Sequence, residues 1–511
     1  MNLLQYKRKG TKVLAAASLL LAMYGLNGCK KLIEIDPPVA TVPTEEAFAS
    51  NSLASGALAG LYSQLMSNSG SSYFSNGSTS IYAGLSADEL QSFSGNSIPQ
   101  EYQFYSNTLL RDNAFTQGIF WDPAYKIIYT ANGIIEGVAH STSVFLDDST
   151  RALCTGESKF VRALCYFYLT NMFGDVPMPL TTDFRQTTTL HRSPQADVYK
   201  QMVQDLQDAT KLLRPDYSSA GSNERVRVNK YGAAALLARV YLYQQDWKNA
   251  EIQADSVINS GLYSLAADLN NVFLKNGQEA IFQLKQNPLA SQQGVITEAK
   301  SFVPTVRLSQ FPPADQATFL DSATFSQFVS LFIPPYYLTP QLANAFEPGD
   351  KRRTTWIDSV PTPATEPYHS IFYYYSAKYP DQLGSTNTEP NRYYMVLRLA
   401  EQYLIRAEAR AQQNNTGGAA ADLDMVRNRA GLPNTTAGTK DALLAAVAHE
   451  RQTELFTEWG HRWLDLKRTG KANQVLGAIP NKQPWKPYQL VYPIPVLEIQ
   501  NDPNLSQNPE Y

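Results

Sequence analysis

Apolar residues recur at helical spacing along several stretches of the chain. NKYGAAALLARVYLYQQDWKNAEIQADSVINSG (229–261) reads as two amphipathic helices joined at Gln245-Asp246, and LAEQYLIRAEARAQQNNTGGAAADLDMVRNRAGL (399–432) repeats that arrangement more loosely. SPQADVYKQMVQDLQDATKLL (193–213) opens on a Ser cap with Pro194 in its first turn, and DALLAAVAHERQTELFTEWGHRWLDLKRTG (441–470) reads as a helix that stops at Gly470. In the latter, Glu450, Glu454, Glu458, His461 and Asp465 fall on one flank and Leu455, Phe456, Trp459, Trp463 and Leu466 on the other. Arg451, Arg462 and Arg468 lie near the acidic flank, a pattern that predicts carboxylate–arginine pairs locking neighbouring helices.

The spacing of small residues adds an architecture. Leu237, Ala238, Tyr241, Ala250, Ala254 and Val257 sit at the offsets of a tetratricopeptide repeat, and Ala411 and Ala420 are spaced as Tyr241 and Ala250 are. Small side chains there let two helices approach closely. About three repeats are needed to bury a continuous face, so other helices must complete the stack. Two stretches depart from helical patterning: 67–118, rich in Ser, Asn, Gly and aromatics, and 286–392, with Pro304, Pro312, Pro313, Pro334, Pro335, Pro340 and Pro348 among clustered tyrosines. Such long segments in a compact protein are functional more often than not, and their aromatic content argues against disorder. Short strands are expected around Ile281 to Leu284 and Ser370 to Ser376. The fold class is therefore mainly α: a tetratricopeptide-like helical scaffold with long aromatic-rich loops and a few short strands.

Composition narrows the partners. The chain has 511 residues, which predicts one large composite domain or two intimately packed ones, and its net charge of −3 has no long basic run to follow a nucleic-acid backbone. Lys7, Arg8, Lys9 and Lys12 precede an apolar run from Val13 to Tyr24, too short to span a bilayer comfortably, and Leu26-Asn27-Gly28-Cys29 follows. This is an export signal over residues 1–28 ending like a bacterial lipobox, with Cys29 as the lipid attachment site. In RALCTGESKFVRALCYFYL, a helix would separate Cys154 from Cys165 by roughly 16 Å, beyond disulfide reach, so both are expected as buried thiols.

HERQTELFTEWGH (449–461) carries fragments of two metal motifs and completes neither. A zinc site of the H-E-x-x-H kind needs histidine where Thr453 stands, and the other Glu-x-x-His spacing, Glu366 to His369, contains Pro367. No nucleophile elbow, phosphate-binding loop or dinucleotide fingerprint occurs, and Asp88-Glu89 cannot be assigned as glycosidase acids without their spatial separation. No metal, cofactor or catalytic residue is expected. Instead, 30 tyrosines, 22 phenylalanines and 6 tryptophans, many of them in the loops, suit a binding surface. Sugar C–H faces stack on aromatic rings while hydroxyls need Asn, Gln, Asp and Arg. The candidates are Tyr73, Phe74, Asn76, Tyr82, Phe93, Asn96 and Tyr102 in the first stretch, and Tyr336, Arg352, Trp356, Tyr373 and Tyr375 in the second.

ERQTELFTEWGHRWLDLKRTG resembles the C-terminal signature of the SusD/RagB family. GESKFVRALCYFYLTNMFGDVPMP (156–179), ALLARVYLY, YMVLRLAEQYLIRAEA (394–409), NRAGLP (428–433) and YPIPVLEIQNDPNLSQNPEY (492–511) are similar to family motifs in family order, with Glu510 where glycine is usual. The resemblance covers Cys29 to Tyr511 and implies an N-terminal region (29–220) packed with a C-terminal region (221–511) as one composite unit. It further implies a lipid-anchored outer-membrane protein, without enzymatic activity, that partners a SusC-like TonB-dependent transporter. Its helices would face that partner and its loops a nutrient. The ligand implied is an oligosaccharide or polysaccharide; alternatives are a peptide, as for RagB-like relatives, or a glycoside hydrolase reaction.

Overall fold

The protein's structure, a computed structural model, describes residues 44–66, 74–221, 223–286, 296–380 and 390–511. Cys29 and Tyr73 lie outside them. In chain order the principal helices are α1 (Asn51–Met66), α2 (Thr79–Ser86), α3 (Pro99–Tyr105), α4 (Asp122–His140), α5 (Asp148–Phe173), α6 (Gln195–Leu212), α7 (Lys230–Tyr243), α8 (Trp247–Ile258), α9 (Ser322–Phe332), α10 (Leu399–Gln412), α11 (Thr416–Arg429), α12 (Lys440–Glu454) and α13 (His461–Arg468). The strands are β1 (Leu90–Ser92), β2 (Val176–Pro177), β3 (Arg192–Ser193), β4 (Ala280–Leu284), β5 (Tyr336–Leu338), β6 (Ile357–Pro361), β7 (Phe372–Ser376) and β8 (Tyr394–Arg398).

The expected repeat is present. Helices pack in the series α4, α5, α6, α7, α8, α10, α11, with α12 against α10 and with α1 laid across α4 and α5. The two hairpins legible in the sequence are built alike. Gln245 and Asn414 adopt left-handed φ of 59° and 63°, and the next residue caps the following helix, Asp246 accepting from Asn249 N–H and Asn415 from Gly418 N–H. Ala238, Ala250, Ala254 and Ala411 are fully buried, which permits the close approach their size predicted. Cys154 and Cys165 are buried free thiols in α5.

Three local expectations need correction. Ser193 does not cap α6: it belongs to β3, and Pro194 occupies the cap position. The two stretches without helical patterning contain helices α2, α3 and α9. Every residue of α2 is buried, so it has no polar face to reveal its period. The 441–470 segment is two helices, because Thr457, Trp459 and Gly460 take left-handed φ of 53°, 47° and 69°. Tertiary contacts outweigh helical propensity at this break. Trp459 N–H donates to Ser80 Oγ at 2.8 Å, its indole Nε1 donates to Met395 O at 2.7 Å, and its ring stacks on Tyr394 at 5.2 Å.

The acidic flank of that segment is interior rather than solvated. Arg352 reaches Glu450 at 2.6 Å, Glu454 at 2.9 Å and Asp350 at 2.8 Å, while Arg398 and Lys378 reach Glu458 at 2.8 and 2.6 Å. Against the desolvation of burial, Arg429, Arg398 and Arg352 hold the Glu454 carboxyl well below its ordinary value. Arg462 pairs with Asp88 at 2.7 Å, joining the two ends of the chain. Residues 48–511 form one compact unit.

Candidate functional site

Among the described residues four antiparallel strand pairs accompany the helical stack: β1 with β5, β2 with β3, β4 with β8 and β6 with β7. The β1–β5 pair sets Ser92 opposite Tyr336 and Gln91 opposite Tyr337. Because successive side chains on a strand point to opposite faces, Tyr336 and Tyr337 serve different ends.

Tyr336 turns inward. Its hydroxyl donates to Glu101 at 2.5 Å, Ser94 donates to the same carboxylate at 2.7 Å, and Ser92 also donates to it. Beneath lies Tyr82, buried against Phe104, Phe115 and Phe120 at ring separations of 4.8, 5.6 and 6.0 Å. This base fixes α3, β1 and β5 to one another.

Tyr337 turns outward into a wall of tyrosines. Its ring meets Tyr373 of β7 edge-on at 4.8 Å. Tyr102 and Tyr105 pack at 6.0 Å on α3, and Asn481 Nδ2 donates to the Tyr105 hydroxyl at 2.7 Å. Burial, then the neighbouring Tyr373 and Tyr105, push Tyr337 up to about 12, so its hydroxyl stays protonated at neutral pH and can donate. Phe93, held by its N–H to Pro335 O at 2.8 Å, and Tyr102 are each 37% exposed. On the opposite face of β7, Phe372 and Tyr374 stack at 6.3 Å, and the Arg353 guanidinium lies 4.5 Å from the Tyr374 ring centre.

The structure divides the sequence candidates. Phe93, Asn96 and Tyr102 are exposed and Tyr336 and Tyr373 partly so. Phe74, Asn76, Tyr82, Arg352, Trp356 and Tyr375 are buried. Asn76 Nδ2 donates to Met66 O at 3.1 Å, and the Tyr375 hydroxyl donates to Asp358 at 2.6 Å. Trp356, expected outside the core, is 2% exposed, donates from Nε1 to Leu269 O at 3.1 Å and lies 5.0 Å from Lys378 Nζ. Arg352 is placed by Asp350, Glu450 and Glu454 and has no exposed surface. Tyr105, Tyr337 and Asn481, which are not among the sequence candidates, border the same surface. Tyr337 was signalled by its neighbour in PPYYLTP, since one of two adjacent strand tyrosines must face outward when the other faces in.

His449 and His461 do not converge on a metal position. Burial pushes His461 down to about 3, with Glu401 only partly opposing, so the ring is neutral. Among the described residues no three His, Cys, Asp or Glu side chains gather as a metal site would require.

Comparison with known proteins places the two ends of the chain. A model described as the SusD family matches residues 344–511, and one described as "Starch-binding associating with outer membrane" matches residues 60–242. SusD-like protein P25 of Formosa agariphila is 26% identical over 94% of this chain and 95% of its own length. The starch-binding protein SusD of Bacteroides thetaiotaomicron is 26% identical over 70% of this chain and 72% of its own. Among solved structures, a SusD superfamily protein from Bacteroides vulgatus superposes with a TM-score of 0.72 at 21% identity, covering 91% of this chain and all (100%) of that one. A laminarin binding SusD-like protein gives a TM-score of 0.72 at 24% identity with the same coverage. Both share the fold.

Proposed function

The chain belongs to the SusD family, and from that premise we propose that it is a non-enzymatic binding protein that holds an oligosaccharide or polysaccharide on its tyrosine wall. Delivery to a SusC-like TonB-dependent transporter follows, with the protein anchored in the outer membrane through a lipid on Cys29.

The observation that carries this reading is the set of exposed and half-buried tyrosines Tyr102, Tyr105, Tyr337 and Tyr373 with Asn481. The rings offer faces for sugar C–H groups, and their hydroxyls and the amide offer donors and acceptors for sugar hydroxyls. The bordering carboxylate, Glu101, already accepts from Ser94 and Tyr336. Hydrolysis would need a pair of carboxyl groups placed across a glycosidic bond.

The unlipidated mature chain, titrated with starch and laminarin fragments and with a peptide library, tests the ligand class. Tyr102→Ala should weaken glycan binding by about 1–3 kcal/mol while leaving the unfolding midpoint nearly unchanged, and Tyr373→Ala should weaken binding similarly while also lowering the midpoint, because its ring packs on the buried cluster of Phe325, Val360 and Tyr375. Peptide binding with indifference to sugars would replace the glycan reading, and release of shorter sugars from the polymer would replace the non-enzymatic one. For the anchor, Cys29→Ala should move folded protein out of the membrane fraction in cells lacking the transporter. Retention there would refute it.

A further inference from the structure

We infer that the ligand is a chain long enough to leave the tyrosine wall and occupy a second subsite, a groove beside the C-terminus. This rests on the wall's reading as a saccharide surface. The groove has a volume of about 570 Å³ and is lined among others by Leu110, Arg111, Asp112, Tyr488, Glu510 and Tyr511. That size is within the range of about 300–1,000 Å³ typical of small-molecule sites.

Its position and its chemistry both point to a saccharide chain. The loop 108–112 that forms one side leaves the C-terminal end of α3, the helix that carries Tyr102 and Tyr105 of the wall. The loop is pinned: Val496 N–H donates to Arg111 O at 2.9 Å, and Leu110 N–H donates to Gln103 Oε1 at 3.1 Å. Tyr488 and Tyr511 meet edge to face at 5.0 Å and 89°, and the Tyr511 hydroxyl donates to Val491 O at 2.8 Å, so the ring pair is fixed before any ligand arrives. Arg111 and Asp112 are exposed and have no side-chain partner among the described residues. A guanidinium that only donates next to a carboxylate that only accepts suits the adjacent hydroxyls of a sugar ring, and the tyrosines offer faces for its C–H groups.

Calorimetry of the unlipidated mature chain with maltose, maltohexaose, laminaribiose and laminarihexaose tests the subsite. In the series that binds, the hexasaccharide should bind tighter than the disaccharide. The double variant Arg111→Ala, Asp112→Ala, and separately Tyr488→Ala, should lower hexasaccharide affinity by about tenfold and leave the disaccharide unchanged, as expected when a second contact acts within an already bound chain. Tyr373→Ala should weaken both. Should Tyr488→Ala fail to fold, the double variant, confined to exposed side chains, is sufficient to decide between the outcomes. If the groove variants bind the hexasaccharide as wild type does, the groove is no subsite and the wall reading stands. If Tyr373→Ala and Tyr102→Ala change neither sugar while the groove variants do, the wall reading fails and the groove is the principal site. If wild type binds none of the four sugars, both proposals fall.

Discussion

Trp356 shows how a residue's neighbours in space override its neighbours in sequence. It stands between Arg353 and Asp358 in a proline-rich stretch, yet its indole is enclosed by Leu269, Phe273, Lys378 and Phe456. Trp356→Ala should therefore cost about 3–5 kcal/mol in chemical denaturation, and a variant as stable as wild type would show the ring to be dispensable to the core. The two thiols of α5 offer an independent check on packing. Desolvation pushes Cys154 up to about 11 and Cys165 higher still. In a chain lacking Cys29, a thiol reagent at neutral pH should label neither until denaturant unfolds the protein. Rapid labelling of the native chain would contradict the buried placement of α5.

At the scale of elements, the helical hairpins were legible because their signal is local: an Asx cap after a left-handed residue, small residues at close contacts and an apolar stripe. The break between α12 and α13 was not, because its cause lies elsewhere in the chain, in Ser80, Glu89 and Met395. The same limit applies to the wall. Aromatic loops could be recognised as a class, whereas the choice between Tyr336 and Tyr337 depended on strand register with residues 90–92. Gly460 tests the break directly. Its φ is +69°, and an added Cβ would come within 2.6 Å of Ala83 Cβ. Gly460→Ala should lower stability by about 2 kcal/mol through strained backbone and overpacking, read as a lower denaturation midpoint; an unchanged midpoint would mean the turn tolerates a side chain.

For the whole molecule, the buried charges set a pH window. Despite desolvation, Arg239 helps to hold Glu401 down to about 2 from an ordinary 4.5, so its contribution is present above 4.5 and is lost as pH falls toward 2. His461, ordinarily 6.5 and pushed down to about 3 by burial, takes up its proton more readily when unfolded, which also erodes stability as pH falls from 6.5 to 3. Glu89 and Glu298, both raised to about 8 mainly by desolvation, act in the opposite direction: their contribution is complete below 4.5 and is lost as pH rises toward 8. Between pH 6.5 and 4.5 the two raised carboxyls outweigh His461, so urea midpoints should fall only below about pH 4.5, where His461 and Glu401 still differ between the folded and unfolded states. A Glu401→Gln variant should be weaker even at neutral pH, because Arg239 is then buried without its counter-charge. A wild-type midpoint that rises steadily from pH 6 to about pH 3 would refute these assignments.

The contact of Ser86 with Tyr492, hydroxyl to hydroxyl at 2.9 Å across 406 positions of sequence, also orders events in time. Tyr492 packs its ring on Phe104 and Phe173 and donates its N–H to Met172 O, while Asn508 ties down Phe173 O. A chain that emerges N-terminus first from the ribosome cannot close its earliest core until its last residues arrive. Residues 491–511 act as a keystone, and a stop codon placed just before them should yield a product that proteases clear rather than a shortened working protein.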